Sequence, residues 1–237
     1  MDTLFERWYG VRTSGEIDLA TLGLAGPDRN YYAPSRWLTL RRILPQNEVD
    51  DRDVFIDFGS GMGRVVLQAA TYPFERVIGV ELSKELYDIA QANVASARRH
   101  VVCNEIELVH ADATDFAIPD DVSVAFFYNP FGGSSFQTVI ARLIESYDRR
   151  PRHLRIIYRN PVEEGALLAT SRVRPVRSAV EVRPTMDWTQ WRSLRMYVVT
   201  GPIEATAMLP PSRQSRHRLP ELSRPHRIPQ PPTEHRP

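Results

Sequence analysis

The chain has 237 residues, 42% of them hydrophobic, and a formal net charge of +1. This length suits one substantial core with appendages better than two full domains. The longest apolar runs are strand-sized, far short of the ~20 residues that cross a bilayer, so we expect no membrane partner. Residues 1–20 carry four carboxylates and lack the apolar core of a secretory signal, which favours a cytoplasmic protein.

Cysteine and histidine usage argues against disulfides and metals. Cys103 is the single cysteine, so an internal disulfide is excluded, and we interpret this residue as structural. The six histidines lack the spacing of zinc ligands, so no bound metal is expected.

Residues 1–50 predict a helical N-terminal preface that caps the rest of the chain. Turns are expected at Gly26-Pro27 and Pro34-Ser35, followed by a helix over residues 35–44. The aromatic residues of the preface either roof a ligand pocket or pack the preface on the core, and they include Trp8, Tyr9, Tyr31, Tyr32 and Trp37.

Strand-like and helix-like segments alternate between residues 54 and 200, which indicates a parallel sheet with crossover helices. Strands are predicted at 54–59, 76–81, 106–111, 122–129 and 153–159, with an antiparallel edge hairpin from 178–182 and 193–199. Helices are predicted at 64–72, after the capping residue Ser83, and along the apolar stripe from Phe136 to Tyr147. The sequence therefore predicts an α/β domain over residues 51–208 with a doubly wound, mostly parallel sheet of seven strands.

The last segment, residues 209–237, differs in composition. It holds eight of the 19 prolines and six arginines against two glutamates, without apolar periodicity. Such a segment cannot offset its ordering entropy by burial, so we predict a disordered Pro/Arg-rich tail.

A glycine-rich run, Asp57-Phe58-Gly59-Ser60-Gly61-Met62-Gly63, lies where the first predicted strand turns into a helix. Small residues there let the backbone approach a ligand closely, with amide groups facing its polar atoms. The dinucleotide fingerprint requires a small residue where Arg64 stands, which argues against a nicotinamide cofactor. The phosphate loop GxxxxGK[ST] is absent from the sequence, which disfavours a nucleoside triphosphatase.

Two carboxylates end the following strands. Glu81 lies about 20 residues after the loop, the position from which an acid accepts hydrogen bonds from both ribose hydroxyls in doubly wound folds. Asp112 ends the third strand, where it and the amide of Ala113 either recognise an adenine edge or form a helix cap. We expect the three strand ends to converge on one ligand.

Residues 57–63, Glu81 and Asp112 resemble the three cofactor motifs of class I, Rossmann-like S-adenosylmethionine-dependent methyltransferases. Residues 57–68 with Gly79-Val80-Glu81 are similar to the seven-strand histone lysine methyltransferases that lack a SET domain. Those enzymes usually have Gln where Arg64 stands, and their nucleosome-binding parts have no counterpart here. The likeness is confined to the cofactor half, so the histone substrate is not carried over.

The resemblance implies an enzyme whose cofactor is S-adenosyl-L-methionine. Asp57 would orient the methionine amino group, and Glu81 would hold the ribose. The cofactor-binding residues that it implies are Asp57, Gly59, Ser60, Gly61, Gly63, Glu81, Leu82, Asp112, Ala113 and Asn129.

The segment after the fourth strand resembles the N-P-P-[YF] motif of methyltransferases that act on planar nitrogens, although the second proline is missing. The likeness implies that an Asn side chain and a backbone carbonyl orient an amino group; the alternative is an ordinary strand-ending turn. The candidate catalytic residues are Tyr128, Asn129, Pro130 and Phe131. His110, Tyr128 and His153 are candidates for a general base, should the acceptor need one.

Three functions stay open. The favoured one is methyl transfer to a nitrogen of a small molecule or a protein side chain. An RNA methyltransferase is the second, because eight arginines between residues 149 and 177 face only two glutamates; their alternation with apolar residues favours a solvated surface instead. The third is a subunit that binds the cofactor without catalysis and regulates a partner.

Overall fold

The predicted sheet is present in a computed structural model of the chain, which describes residues 2–180 and 193–202. Its strands are β1 (Val54–Phe58), β2 (Arg76–Glu81), β3 (Glu105–His110), β4 (Val122–Phe127), β5 (Arg155–Arg159), β6 (Val173–Val180) and β7 (Ser193–Val199). They lie in the order β3-β2-β1-β4-β5-β7-β6. Strands β1 to β5 are parallel, and β7 runs antiparallel to β5 and β6. The seven-stranded doubly wound sheet with an antiparallel edge hairpin is therefore confirmed.

Burial differs between the centre and the edge of the sheet. Every residue of β1 and β4 is buried, as expected for parallel strands that helices cover on both faces. Edge strand β6 is largely exposed and contains Pro175, which lacks the N–H that a central strand needs. The register shifts between Pro175 and Arg177. Strand β6 begins earlier than predicted, and residues 181 and 182 of the predicted hairpin lie outside the described residues, as does the predicted tail, 209–237.

Helices cover the two faces of the sheet. They are α3 (Arg64–Ala69), α4 (Lys84–Ala97), α5 (Gly133–Arg149) and α6 (Glu164–Ala169). Helix α4 begins after Ser83, whose hydroxyl accepts a hydrogen bond from the Leu86 amide at 3.3 Å, as the sequence predicts. Helix α5 buries the predicted apolar stripe against one face, while α3 and α4 contribute to the core on the other. In the described part of the chain, the helices are all too short or too polar to cross a membrane.

The N-terminal preface contains α1 (Asp2–Tyr9) and α2 (Thr39–Ile43), with single 3-10 turns at Leu19–Leu22 and Gln46–Glu48. The chain between α1 and α2 is mostly irregular and forms two isolated β-bridges, Ile17 with Tyr32 and Arg29 with Phe131. The helix predicted over residues 35–44 is shorter than expected, because Leu38 has a positive φ of 71° and α2 starts after it.

Arg64, the first residue of α3, ties the preface to the core. Its side chain is 2% exposed. It donates to the Thr13 hydroxyl at 2.7 Å, the Ser35 carbonyl at 2.9 Å and the Glu6 carboxylate at 3.1 Å. The guanidinium also lies 5.3 Å from the centroid of the Trp37 ring. A buried cation needs such partners, so these contacts hold the start of the chain beside the glycine loop.

We therefore expect Arg64→Met to destabilise the protein strongly. The substitution leaves the Ser35 carbonyl without its donor and the partly buried Glu6 carboxylate without its counter-ion, which should cost about 1–3 kcal/mol. Urea denaturation followed by circular dichroism measures the loss. The matched control is Arg174→Met on exposed strand β6, which should stay within about 0.5 kcal/mol of the parent. Equal stabilities for the two variants would contradict the role of Arg64 in anchoring the preface.

Candidate active site

The glycine-rich loop follows β1 and leads into α3 at the carboxyl edge of the sheet. Gly59 and Gly61 have positive φ angles of 72° and 54°. A Cβ on Gly59 would lie 2.3 Å from Pro130, and one on Gly61 would lie 2.1 Å from the Tyr32 ring. Both glycines are thus required for backbone conformation and for close contact with neighbouring segments. A Cβ on Gly63 would instead meet Ala90 of α4 at 3.3 Å, so Gly63 lies against a helix.

Two buried carboxylates lie beside this loop. Glu81 is 6% exposed, and its two oxygens accept hydrogen bonds from the Gly61 amide at 2.7 Å and the Ser83 amide at 2.8 Å. Burial raises the pKa of Asp57 well above the usual carboxyl value, and the charge of Glu81 raises it further. Burial also raises the pKa of Glu81, against the lowering effect of the two amides. A desolvated pair of acids favours a ligand that carries positive charge.

Asp112 follows β3 and is held by a local turn. One carboxylate oxygen accepts from the Thr114 amide at 2.9 Å and hydroxyl at 2.7 Å, and the other lies 3.4 Å from an Arg29 nitrogen. Burial opposes ionisation, but the bonds from Thr114 and the charge of Arg29 leave the pKa of Asp112 below its usual value. Arg29 was not predicted as a site residue, because it lies 83 positions away in sequence.

A cavity of about 120 Å³ lies between the loop, the strand ends and the preface. The predicted residues that line it are Asp57, Gly59, Ser60, Glu81, Leu82, Asp112, Ala113, Tyr128, Pro130 and Phe131. Gly61, Gly63 and Asn129 are not in its lining. The hydroxyl of Ser60 is buried without a hydrogen-bonding partner in the described part of the chain. Paired acids and an unpartnered hydroxyl fit a cofactor with a cationic amino acid end and a ribose.

The preface narrows this cofactor cavity. Ligand cavities usually have volumes of roughly 300–1,000 Å³, so about 120 Å³ is small for a nucleoside cofactor. The Tyr32 ring and the Arg29 side chain both border the space. The preface therefore forms part of the wall of this cavity.

Residues 28–33, which we call the strap, are bonded to the segment after β4. The Gly132 amide donates to the Asp28 carbonyl at 2.8 Å, and the Asn30 side chain donates to the Asn129 carbonyl at 2.9 Å. The Asp28 carboxylate accepts from the Ser134 hydroxyl at 2.7 Å, and this bond lowers the pKa of Asp28. The Asp28 carboxylate lies beside the first turn of α5, where negative charge is favourable. The strap is thereby held across the carboxyl edge of the sheet.

A second cavity, of about 450 Å³, adjoins the first. Three aromatic residues, Tyr31, Tyr128 and Phe131, border both cavities. Asn129 lines only the second, and its carboxamide oxygen is buried without a hydrogen-bonding partner in the described residues. Asn160, after β5, also lines this cavity and was not predicted. The structure thus places the Asn129 carboxamide in a cavity that adjoins the first.

The preface aromatics other than Trp8 divide between the two predicted roles. Trp37 is buried and stacks with Phe5 at 5.4 Å and Tyr9 at 5.1 Å between ring centroids, so this group packs the preface on the core. Trp8 is 65% exposed. Tyr31 lines both cavities, whereas Tyr32 lines only the cofactor cavity.

The candidate general bases lie in different surroundings. The His110 ring nitrogen is 3.0 Å from the Leu82 carbonyl, and His153 is exposed at the start of the segment leading into β5. Neither histidine lines the two cavities, whereas Tyr128 lines both.

The arginines between residues 149 and 177 are largely engaged within the fold. The expectation of a solvated surface is wrong for Arg155 and Arg159, which are 3% and 6% exposed because they lie on the fully buried strand β5. Four ion pairs join this group to acids elsewhere in the chain: Arg149–Asp120, Arg155–Asp53, Arg172–Asp148 and Arg177–Glu48. Cations already paired with carboxylates are less able to bind RNA phosphates.

The fold defined by this sheet and glycine loop is that of class I methyltransferases. An RNA methyltransferase from Salinibacter ruber, solved with S-adenosyl-L-homocysteine, superposes with a TM-score of 0.51 and 18% identity over 73% of this chain and 97% of its own. An S-adenosylmethionine-dependent methyltransferase from Methanosarcina mazei has a TM-score of 0.51 and 12% identity, covering 65% and 95% of the two chains.

Sequence comparison points to a narrower group. Residues 30–124 match the family model described as "Histone methylation protein DOT1". A Dictyostelium discoideum protein, "Histone-lysine N-methyltransferase, H3 lysine-79 specific", is 31% identical over 125 residues, which are 48% of this chain. The chain spans 6% of the length of that relative. The predicted resemblance to the methyltransferases without a SET domain is confirmed.

The position of Glu81 predicts a role in ribose binding. Glu81→Ala removes a charged acceptor from two hydroxyls, and each such bond contributes about 1.5–3 kcal/mol. We expect the affinity for S-adenosylhomocysteine, measured by calorimetry, to fall at least about tenfold. The control is Glu85→Ala in the first turn of α4, where the side chain is exposed. Unchanged affinity in a folded Glu81→Ala protein would remove the ribose assignment.

The raised pKa of Asp57 predicts that cofactor binding depends on pH. A cationic ligand binds the ionised carboxylate better, so affinity for S-adenosylmethionine is present above the raised pKa and is lost as pH falls through it. The loss should begin well above the ordinary carboxyl pKa of about 4. Calorimetry at descending pH tests this, with Asp57→Asn as the control. This variant should bind S-adenosylmethionine more weakly at neutral pH, and its affinity should change less with pH. The same pH profile in both proteins would contradict the prediction.

Proposed function

We propose that the chain is an S-adenosylmethionine-dependent methyltransferase that acts on a side-chain amine of a protein. The observation that carries this proposal is the pair of adjoining cavities. The first is lined by Asp57 and Glu81, and the second by the unpartnered Asn129 carboxamide. Tyr31, Tyr128 and Phe131 lie between them.

The proposed methyl transfer requires little acid–base catalysis by the protein. When bound, S-adenosylmethionine supplies a methyl group on a positively charged sulfur, an activated donor for in-line displacement. An ammonium group first loses a proton to solvent, which frees the nitrogen lone pair. The nitrogen–carbon bond would then form as the carbon–sulfur bond breaks, and S-adenosylhomocysteine would leave. Asn129 orients the amine, while the aromatic residues exclude water from the junction of the cavities. Alignment of this kind supplies much of the rate in such reactions.

A cationic amine suits the second cavity better than a nucleic acid. Asp28 and Glu163 both line it, whereas its described lining contains no lysine, arginine or histidine. The Dictyostelium relative carries the name of a lysine methyltransferase, which supports a lysine side chain as the acceptor. The RNA alternative is supported by the name of the Salinibacter structure, but the paired arginines of this chain weaken it. The cytoplasmic location stays a prediction.

A labelling experiment with a chemical control tests the acceptor. The full chain is incubated with S-adenosylmethionine carrying a labelled methyl group and a cell extract divided into protein and RNA fractions. We expect label in the protein fraction, recovered as methyl-lysine after acid hydrolysis. Acetylation of lysine amines in the extract should abolish the signal. Label confined to RNA would refute the protein acceptor, and cofactor binding without transfer would favour the regulatory subunit.

Asn129→Gly separates orientation of the acceptor from cofactor binding. Glycine accepts the positive φ of 43° at this position, so the substitution removes the carboxamide without backbone strain. We expect kcat to fall by about tenfold or more while cofactor affinity stays nearly unchanged, because the lost contact is to the nucleophile. Asn47→Gly on the exposed 3-10 turn is the control. Equal turnover by the Asn129 variant and the parent would contradict this role.

A further inference from the structure

Helix α1 presents one face to solvent that the core does not use. Leu4 and Trp8, one helical turn apart, are 69% and 65% exposed. The two acids of this helix, Asp2 and Glu6, pair with the buried Arg64 on its inward side. The outward face of the described helix therefore carries large apolar side chains without a carboxylate beside them.

The 3-10 turn Arg98–His100, which follows α4, extends this face. The His100 ring lies 5.5 Å from the Trp8 ring, measured between centroids. Arg99 donates a hydrogen bond to the Trp8 carbonyl at 3.4 Å. Val102, two residues after the turn, is 59% exposed. Two segments that are distant in sequence thus form one continuous surface.

Arginines border the apolar side chains of this surface. Arg98 and Arg99 belong to the turn, and Arg41 belongs to α2. The Tyr9 ring lies 4.8 Å from the His100 ring; burial raises the pKa of Tyr9, and the nearby charge of Arg41 opposes that rise. All three arginines are exposed, and no ion pair between described residues includes them.

Unpaired positive charge distinguishes this surface from the arginine-rich stretch between residues 149 and 177. There, four arginines pair with carboxylates of the same chain, so their charge is used within the fold. Here the positive charge stays available beside an exposed indole. Trp and Arg are enriched among the residues that dominate protein–protein binding, and exposed apolar side chains rimmed by polar ones are typical of interaction sites. The composition of the surface is therefore that of a protein interface.

We propose that these side chains form a docking surface for an acidic, amphipathic segment of a protein partner. The surface consists of Leu4, Trp8, Arg41, Arg98, Arg99 and Val102. Carboxylates of the segment pair with the arginines, and its apolar side chains cover the three apolar residues. A phosphate backbone would offer partners to the arginines but none to Leu4 and Val102, so a protein fits better than a nucleic acid. None of the six residues lines either cavity, so docking leaves the site of methyl transfer open.

The experiment measures binding of a fluorescent peptide to the full chain by anisotropy. The peptide contains only glutamate and leucine, with the leucines at i, i+3, i+4 spacing along one helical face. We expect saturable binding that weakens as salt is added, because salt screens exposed charges. A matched peptide with glutamine in place of every glutamate should bind at least about tenfold more weakly, since it offers no charge to the arginines.

Two variants separate the apolar contacts from the charged ones. Trp8→Ala removes the exposed indole, and Arg98→Glu reverses one charge; each should lower the affinity for the glutamate peptide by about tenfold. The matched controls lie on exposed strand β6: Val176→Ala removes an exposed apolar side chain, and Arg174→Glu makes the same change of net charge. Both controls should bind the peptide as the parent does.

Three outcomes would overturn the assignment. The parent could fail to bind the glutamate peptide, or bind it no better than the glutamine peptide. Arg98→Glu could lose no more affinity than Arg174→Glu does, which would leave only an effect of net charge. An oligouridine of the same charge could bind more tightly than the peptide and lose affinity in Trp8→Ala, which would make the partner a nucleic acid. None of these results bears on methyl transfer, so the proposed function is tested separately.

Discussion

Close contact at two glycines is the constraint on which the site depends. Without side chains, Gly59 and Gly61 let Pro130 and Tyr32 approach the loop after β1 to distances that no Cβ would permit. Three segments distant in sequence, the loop, the strap and the segment after β4, therefore meet at the carboxyl edge of the sheet. That meeting produces two adjoining cavities where an open parallel sheet alone would offer a single crevice.

The preface is a structural part of this arrangement. Arg64 holds the beginning of the chain beside α3, and Asp28 and Asn30 hold the strap on the segment after β4. The buried charge of Arg64 is satisfied by preface groups. Anchoring and cavity formation are thus coupled, because the strap that borders both cavities belongs to the same anchored segment.

The described surface also bears on the choice of acceptor. Many arginines that the sequence places in one dense stretch are paired with carboxylates or buried in β5, so they stabilise the fold. The second cavity, in contrast, is bordered by carboxylates and aromatic rings. This separation of charge supports the proposed amine acceptor over a phosphate backbone that lies along a basic surface.

The sequence by itself determined the sheet, its edge hairpin and the cofactor motifs, because hydrophobic periodicity and a glycine loop between strand and helix are local signals. Arg29, Asn160 and the engaged arginines could not be predicted, since their partners lie far away in the chain and periodicity carries no information about them. The local sequence likewise did not indicate whether Tyr31 and Trp37 line a cavity or pack on the core. Only the tertiary structure decided it, because the path of the strap across the sheet edge depends on long-range contacts such as those of Asp28 and Arg64.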